Sequence, residues 1–211
     1  MNDDNQLRLE QILSLEFQYA QETATQAQED RARVVGFYLT LVGILSTIIL
    51  ALLQRSSGSD LLLSLSGVSL PEGVPSWAFS VIFWLMGIVG LFTLTMLVRL
   101  RQAWHDSVRT MNAIKDYYDE RFSDIEFQTF MRWRTDTIPA PGRLWSITFN
   151  LALLVTLLDS VAMGVGFAFL NLAPGGRTWA DEVAVGLLIF VWQWWWYFYQ
   201  LGFGRESISS D

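Results

Sequence analysis

Four stretches of this chain are apolar for about the thickness of a bilayer core: Val34 to Leu53, Trp77 to Val98, Leu144 to Leu170 and Val183 to Phe203. Crossing the hydrocarbon takes ~20 predominantly apolar residues, and a helix that is apolar all round for that length is not the surface helix of a soluble domain. Nothing else in the sequence constrains the fold as strongly. The chain reads as all-α, a polytopic membrane protein with four transmembrane helices. No cysteine is present and His105 is the lone histidine, so disulfides, thiolate ligands and imidazole clusters are excluded.

The basic residues give the orientation. Arg8, Arg31 and Arg33 precede the first span; Arg99, Arg101, Arg109, Lys115, Arg121, Arg132, Arg134 and Arg143 lie between spans two and three; Arg205 follows the fourth. Only Arg55 and Arg177 fall in the other two connections. Positive charge is retained on the cytoplasmic side, so both termini and the central connection are expected there. The first ~30 residues are polar and acidic where a signal peptide would be basic and then apolar, which makes span one the expected insertion signal. A net charge of -7 leaves no basic excess for nucleic acid.

This gives a cytosolic N-terminal helix over 1–33, a first transmembrane pair over 34–98 with an outer loop at 54–76, a cytosolic helix and interfacial segment over 99–143, a second pair over 144–203 and a cytosolic tail over 204–211. From Leu7 to Leu53 there is no proline, so one helix of ~70 Å is expected to run from the cytosol through the membrane. Its polar part carries a stripe at Leu13, Phe17, Ala20, Ala24, Ala27, Arg31 and Val34. Span two continues into a second stripe at Trp104, Val108, Met111, Ile114, Tyr118, Phe122 and Ile125. Steps of three and four mark a buried helical face, and the two stripes are expected to pack on each other, or on copies of themselves, as a stalk. Phe127, Phe130, Met131 and Trp133 among Arg132 and Arg134 read as a short interfacial helix, ended by Thr137 to Gly142. The outer loop is expected to lie on the membrane surface, and the second outer connection to turn at Pro174-Gly175-Gly176.

Asp159, near the middle of span three, is the most informative residue, because a carboxylate at that depth costs a few kcal/mol and must face protein or water. It either lines an ion or proton path or bonds helices together, with Gln193, Thr156 or Ser160 as partner. Asn150 is a further polar residue of span three. Small residues recur at four-residue steps at Ser160, Gly164 and Ala168, at Ala162 and Gly166, and in span one at Gly43, Thr47 and Ala51, a spacing that lets helices approach closely in lipid. Trp192, Trp194, Trp195, Trp196, Tyr197, Phe198 and Tyr199 crowd the end of span four as an aromatic interface belt. A haem or pigment site has no spanning histidine to serve as axial ligand.

Enzyme readings lack parts. The sole histidine, in Trp104-His105-Asp106, is far from any serine motif, no three-ligand metal set exists, and neither GxGxxG nor GxxxxGK[ST] occurs. No cofactor is expected, and an enzyme acting on lipid has only Asp159, Asn150 and Gln193 to work with.

The run from Glu16-Phe17-Gln18-Tyr19 through Asp30-Arg31-Ala32-Arg33 before span one, with Trp104 to Phe122 after span two, resembles the layout of SLATT-type membrane effectors of bacterial defence systems. It is also similar to the RipA-type small oligomeric bacterial membrane proteins. The resemblance covers roughly residues 7–135; spans three and four depart from the two-span SLATT pattern. It implies a homo-oligomer in the bacterial inner membrane whose cytosolic helices sense or bind something and whose spans conduct or perturb the bilayer. Two functions follow: a homo-oligomeric channel or membrane-perturbing effector, or a non-conducting scaffold or anchor subunit that docks a soluble cytosolic protein.

Overall fold

The computed structural model describes residues 3–56, 75–121, 138, 144–170 and 179–203, and among them every regular element is helical. The outer loop at 54–76, the interfacial segment Glu126 to Thr135, its Thr137 to Gly142 terminator, the turn at Pro174-Gly175-Gly176 and the tail at 204–211 lie wholly or largely outside the described residues. The helices are α1 (Asp3–Ser56, 54 residues), α2 (Ser76–Arg121, 46 residues), α3 (Ile147–Leu170) and α4 (Trp179–Phe198), the last running into a π-turn at Tyr199–Phe203. Three of them, α1, α2 and α3, contain a stretch long and apolar enough to cross a membrane. A bundle of such helices satisfies its backbone internally, as lipid requires.

Local chemistry sets the ends. Pro75 stands just before α2, where its missing N–H costs nothing, and its carbonyl accepts from Ala78 N at 3.0 Å. Ser146 caps α3, its hydroxyl accepting from Phe149 N at 3.1 Å. Trp145 immediately before it adopts φ 64°, the left-handed turn that brings the chain into α3. Asp181 and Glu182 sit in the first turn of α4, complementing its dipole.

As far as they are described, the two stripes read from the sequence meet within one chain; Phe122 and Ile125 lie outside the described residues. Ala20, Ala24 and Ala27 of α1 are buried, as is Ile114 of α2, and Lys115 lies over the Phe17 ring at 6.0 Å. Alanines at the seam let the two backbones close in, so α1 and α2 pack as an antiparallel hairpin over their polar lengths. In the apolar half α2 is central, packing on α1, α3 and α4. Its contact with α3 is close because Gly166 of α3 faces Trp84, whose Cδ1 would stand 2.8 Å from an added Cβ, and Ser80 Oγ donates to the Gly166 carbonyl at 2.7 Å. Phe169 of α3 stacks on Phe79 and Phe83 of α2 just beyond.

Small residues also join α3 to α4. An added Cβ at Gly164 would come 3.1 Å from the Glu182 carbonyl, and one at Gly186 would come 3.0 Å from the Ser160 carbonyl. The Ser160, Gly164 and Ala168 pattern is therefore used inside the chain, along a groove of about 430 Å³ between these two helices. Gly43 and Thr47 are not: both are exposed, and nothing lies within 4 Å of a Cβ built at Gly36 or Gly43.

Candidate functional site

One residue from each of the other three helices converges on the Asp159 carboxylate of α3. Tyr38 of α1 donates its hydroxyl to Oδ1 at 3.1 Å, and Gln193 of α4 donates its amide Nε2 to Oδ2 at 3.0 Å. From α2, Gly90 abuts the same carboxylate so closely that a Cβ there would overlap it. Asp159 is fully buried, as are Tyr38 at 1% exposure and Gln193 at 2%. Gln193 Oε1 is buried beside it with no partner among the described residues.

The arrangement has a simple cause. A carboxylate among apolar helices is tolerated only when donors reach it, and a side chain can sit between four helices only if one of them gives up its own. Gly90 supplies that space. Thr156 and Ser160, weighed beside Gln193 as partners for Asp159, turn back instead, donating to the Ala152 and Thr156 carbonyls at 2.7 and 2.6 Å.

A second polar level lies toward the start of α3. Arg31 of α1 donates to Thr148 Oγ1 at 2.6 Å, and Arg101 of α2 is buried with its guanidinium carbon 4.8 Å from the Trp104 ring centroid. Both arginines are within electrostatic range of the Tyr197 hydroxyl of α4, which is itself buried. Burial lowers both guanidinium groups from the ordinary arginine value, the Tyr197 hydroxyl opposing this, and Arg31 adds to the lowering at Arg101. Gln102 donates to the Gln200 carbonyl at 2.9 Å, tying α2 to the π-turn that ends α4. Between the two levels stands an apolar layer of Val35, Leu94, Leu97, Val98, Ala152 and Val155.

Of the residues singled out in the sequence, Asp159 and Gln193 are brought together. Asn150 is not: it is exposed in the first turn of α3, nine positions or about 13 Å along the helix from Asp159. The aromatic group at the end of α4 divides into two faces. Trp194, Tyr197 and Phe198 turn inward, with Trp194 against Phe149 at 5.0 Å, while Trp192, Trp195 and Tyr199 are exposed, the last two stacked at 5.6 Å, and Trp196 is half-buried. Tyr38, Gly90 and Arg31 are the functional candidates that sequence reasoning passed over; Arg101 was reached from the sequence, with Arg132 and Arg134, as a cation placed to meet anionic lipid headgroups or to snorkel. Tyr38 follows Arg31 by seven residues, two helical turns, so the two share a face, and that spacing was the one available signal.

The node can hold four helices in register and can receive or release one proton at a carboxyl group. No metal-binding group of three or more His, Cys, Asp or Glu side chains occurs among the described residues. No family model matches the chain, and neither a curated protein nor a solved structure matches it.

Proposed function

We propose that this protein is a homo-oligomeric membrane scaffold: a four-span intramembrane bundle, with both termini in the cytoplasm, that displays the α1/α2 hairpin as a cytosolic docking surface for a soluble partner. The carrying observation is the closure of Asp159 inside a single chain by Tyr38, Gly90 and Gln193. A carboxylate spent on contacts within one chain serves assembly, so the order of the two sequence readings is reversed. The twelve-to-two division of basic residues supports the topology. The 20 residues of α4 carry two acidic groups, both in the first turn, and supply a fourth span of sufficient length. Ile12, Leu15 and Tyr19, in steps of three and four, are 62%, 67% and 65% exposed on α1, away from the seam with α2, and supply an apolar stripe for a partner helix.

Reconstituted in liposomes, wild type and Asp159→Asn are both expected to pass no ions, and Leu15→Glu is expected to abolish partner capture without affecting membrane insertion. Ion flux that changes with Asp159→Asn would sink the scaffold reading.

One observation favours the channel or effector reading that the SLATT-like layout implies. Gly36, Thr40, Gly43 and Thr47 form an uncovered small-residue face on α1, with each threonine hydroxyl bonded back to the Gly36 or Gly43 carbonyl. Copies meeting there would place α1, and not Asp159, around a central axis. Because the chain has no cysteine, Gly43→Cys tests this directly: disulfide-linked dimers in the membrane support the contact, and flux blocked by thiol reagents at that position would make it a pore.

A further inference from the structure

We propose that the groove between α1 and α2 in the polar half of the hairpin binds a small organic carboxylate with an apolar body, its head held by Asn112 and Lys115. Only the hairpin is involved, so the site stands whether or not the spans conduct. The groove measures about 350 Å³, at the lower end of the ~300–1,000 Å³ that small-molecule sites occupy. Asn112 is what calls for a ligand there. It is 1% exposed, its Oδ1 stands 3.5 Å from Lys115 Nζ, and its Nδ2 has no acceptor among the described residues. A buried donor left unpaired is costly and rare. An asparagine kept to fasten the hairpin would bond across the seam, whereas the one contact of Asn112 is to its own helix, a turn away. Lys115 Nζ otherwise lies over the Phe17 ring at 6.0 Å, and among the described residues no carboxylate pairs with it.

The chemistry of the groove selects a carboxylate. Donor and cation lie one turn apart on α2 and line the same space, and a carboxylate supplies an acceptor oxygen to each with a single negative charge. A phosphate dianion fits less well. One cation and one amide balance one charge, and acidic residues follow three of the lining positions: Glu22 after Gln21, Glu29 after Gln28 and Asp116 after Lys115. The rest of the lining selects the body of the ligand. Trp104, Val108 and Met111 of α2, with Ala24 of α1, give an apolar wall that an aromatic or short aliphatic acid covers and a bare inorganic ion leaves wet.

The test is fluorine NMR of para-fluorophenylacetate with the full chain in phosphatidylcholine nanodiscs, read as line broadening beyond that in empty nanodiscs. Broadening is expected for the acid, relieved by octanoate, and absent for the neutral para-fluorophenylacetamide. Lys115→Gln and Asn112→Leu are each expected to weaken binding about tenfold. Arg109→Gln removes an equal charge from an exposed position on α2 and should leave binding unchanged. Asn112→Leu exchanges an unpaired polar group for an apolar one of similar size, so the hairpin should stay folded, with its helical circular dichroism intact. Binding that survives Lys115→Gln or Asn112→Leu, or that Arg109→Gln loses equally, would overturn the site. Acid that broadens no more than in empty nanodiscs, or amide that broadens as much as acid, would overturn the carboxylate as its ligand. Stronger displacement by inorganic phosphate than by octanoate would give the groove to a phosphate, and by a glutamate blocked at both ends to an acidic side chain of a docked protein; either result overturns the free acid.

Discussion

Gly90→Ala is the sharpest single change the Asp159 node offers, because the new methyl group would occupy the space of the carboxylate. The carboxyl group must swing away, and its bonds from Tyr38 and Gln193 go with it. Overpacking of this kind costs about 1–3 kcal/mol, and each polar contact between membrane helices contributes about 0.6 and at most about 1.7 kcal/mol. Against these, alanine gains up to about 1 kcal/mol over glycine in a helix interior. The balance is a loss of about 1–5 kcal/mol, measurable as earlier unfolding when sodium dodecyl sulfate is titrated into protein held in mild detergent. Asp159→Ala should cost a similar amount by leaving the Tyr38 hydroxyl and the Gln193 amide buried without an acceptor. In the double variant the methyl at position 90 enters the space the carboxylate has left, so the two losses should fall short of additivity by about 1–3 kcal/mol. Costs that add to within about 0.5 kcal/mol would refute the claim that Gly90 exists to admit Asp159.

Tyr38→Phe keeps the ring and removes one donor, so a loss of about 0.5–1.5 kcal/mol is expected in the same titration, and no loss in an Asp159→Ala background. Ala24→Leu places a large side chain in the close α1/α2 seam and should destabilise the hairpin by about 1–3 kcal/mol, seen as faster amide exchange over the polar half of α1 with the apolar half unchanged. Gly43→Leu meets open space within the chain, so unfolding should be unaffected, while the oligomer measured by light scattering in detergent should dissociate if copies meet on this face. Gln102→Ala removes the donor to Gln200 and should loosen only the end of α4, read as increased exchange at Tyr199–Phe203.

The helices and their seams were legible because each rests on a periodic signal. The stripe through Ala20, Ala24 and Ala27 repeats over enough turns to mark a face, and the apolar runs of α1, α2 and α3 have the length a membrane demands. Asp159 and Gln193 were legible for the opposite reason, as polar exceptions in apolar surroundings. What stayed hidden were residues whose role is defined by a neighbour on another helix. Gly90 is one glycine among several in apolar helices, where glycine is common, and nothing local marks the carboxylate it accommodates. Arg31 counted toward the positive charge flanking span one and toward the α1 stripe, which gives its sign and its face but not its partner Thr148 on α3. Tyr38 could as well have been an interfacial ring, and Asn150, matched to Asp159 by residue type alone, proved to be a turn-one surface residue.

Helices in lipid need something other than hydrophobicity to choose their mutual register, because the acyl chains that compete for their surfaces are as apolar as the side chains they would bury. Here two polar levels, each drawing on all four helices, bracket the apolar layer of Val35, Leu94, Leu97, Val98, Ala152 and Val155. A slip of one residue along α3 would turn Asp159 by about 100° and carry it away from Tyr38 and Gln193 together, while Thr148 left Arg31 at the other level. Sliding or rotating any one helix therefore breaks contacts at two depths, whereas the layer between them would repack with little penalty. The same layer also separates the two levels: a cation passing from Arg31 and Arg101 to Asp159 inside one chain would have to cross a buried aliphatic seal. Polar groups that specify registration while an apolar layer blocks passage suit the proposed anchoring bundle; under the channel alternative, conduction would run between copies, along the uncovered face of α1.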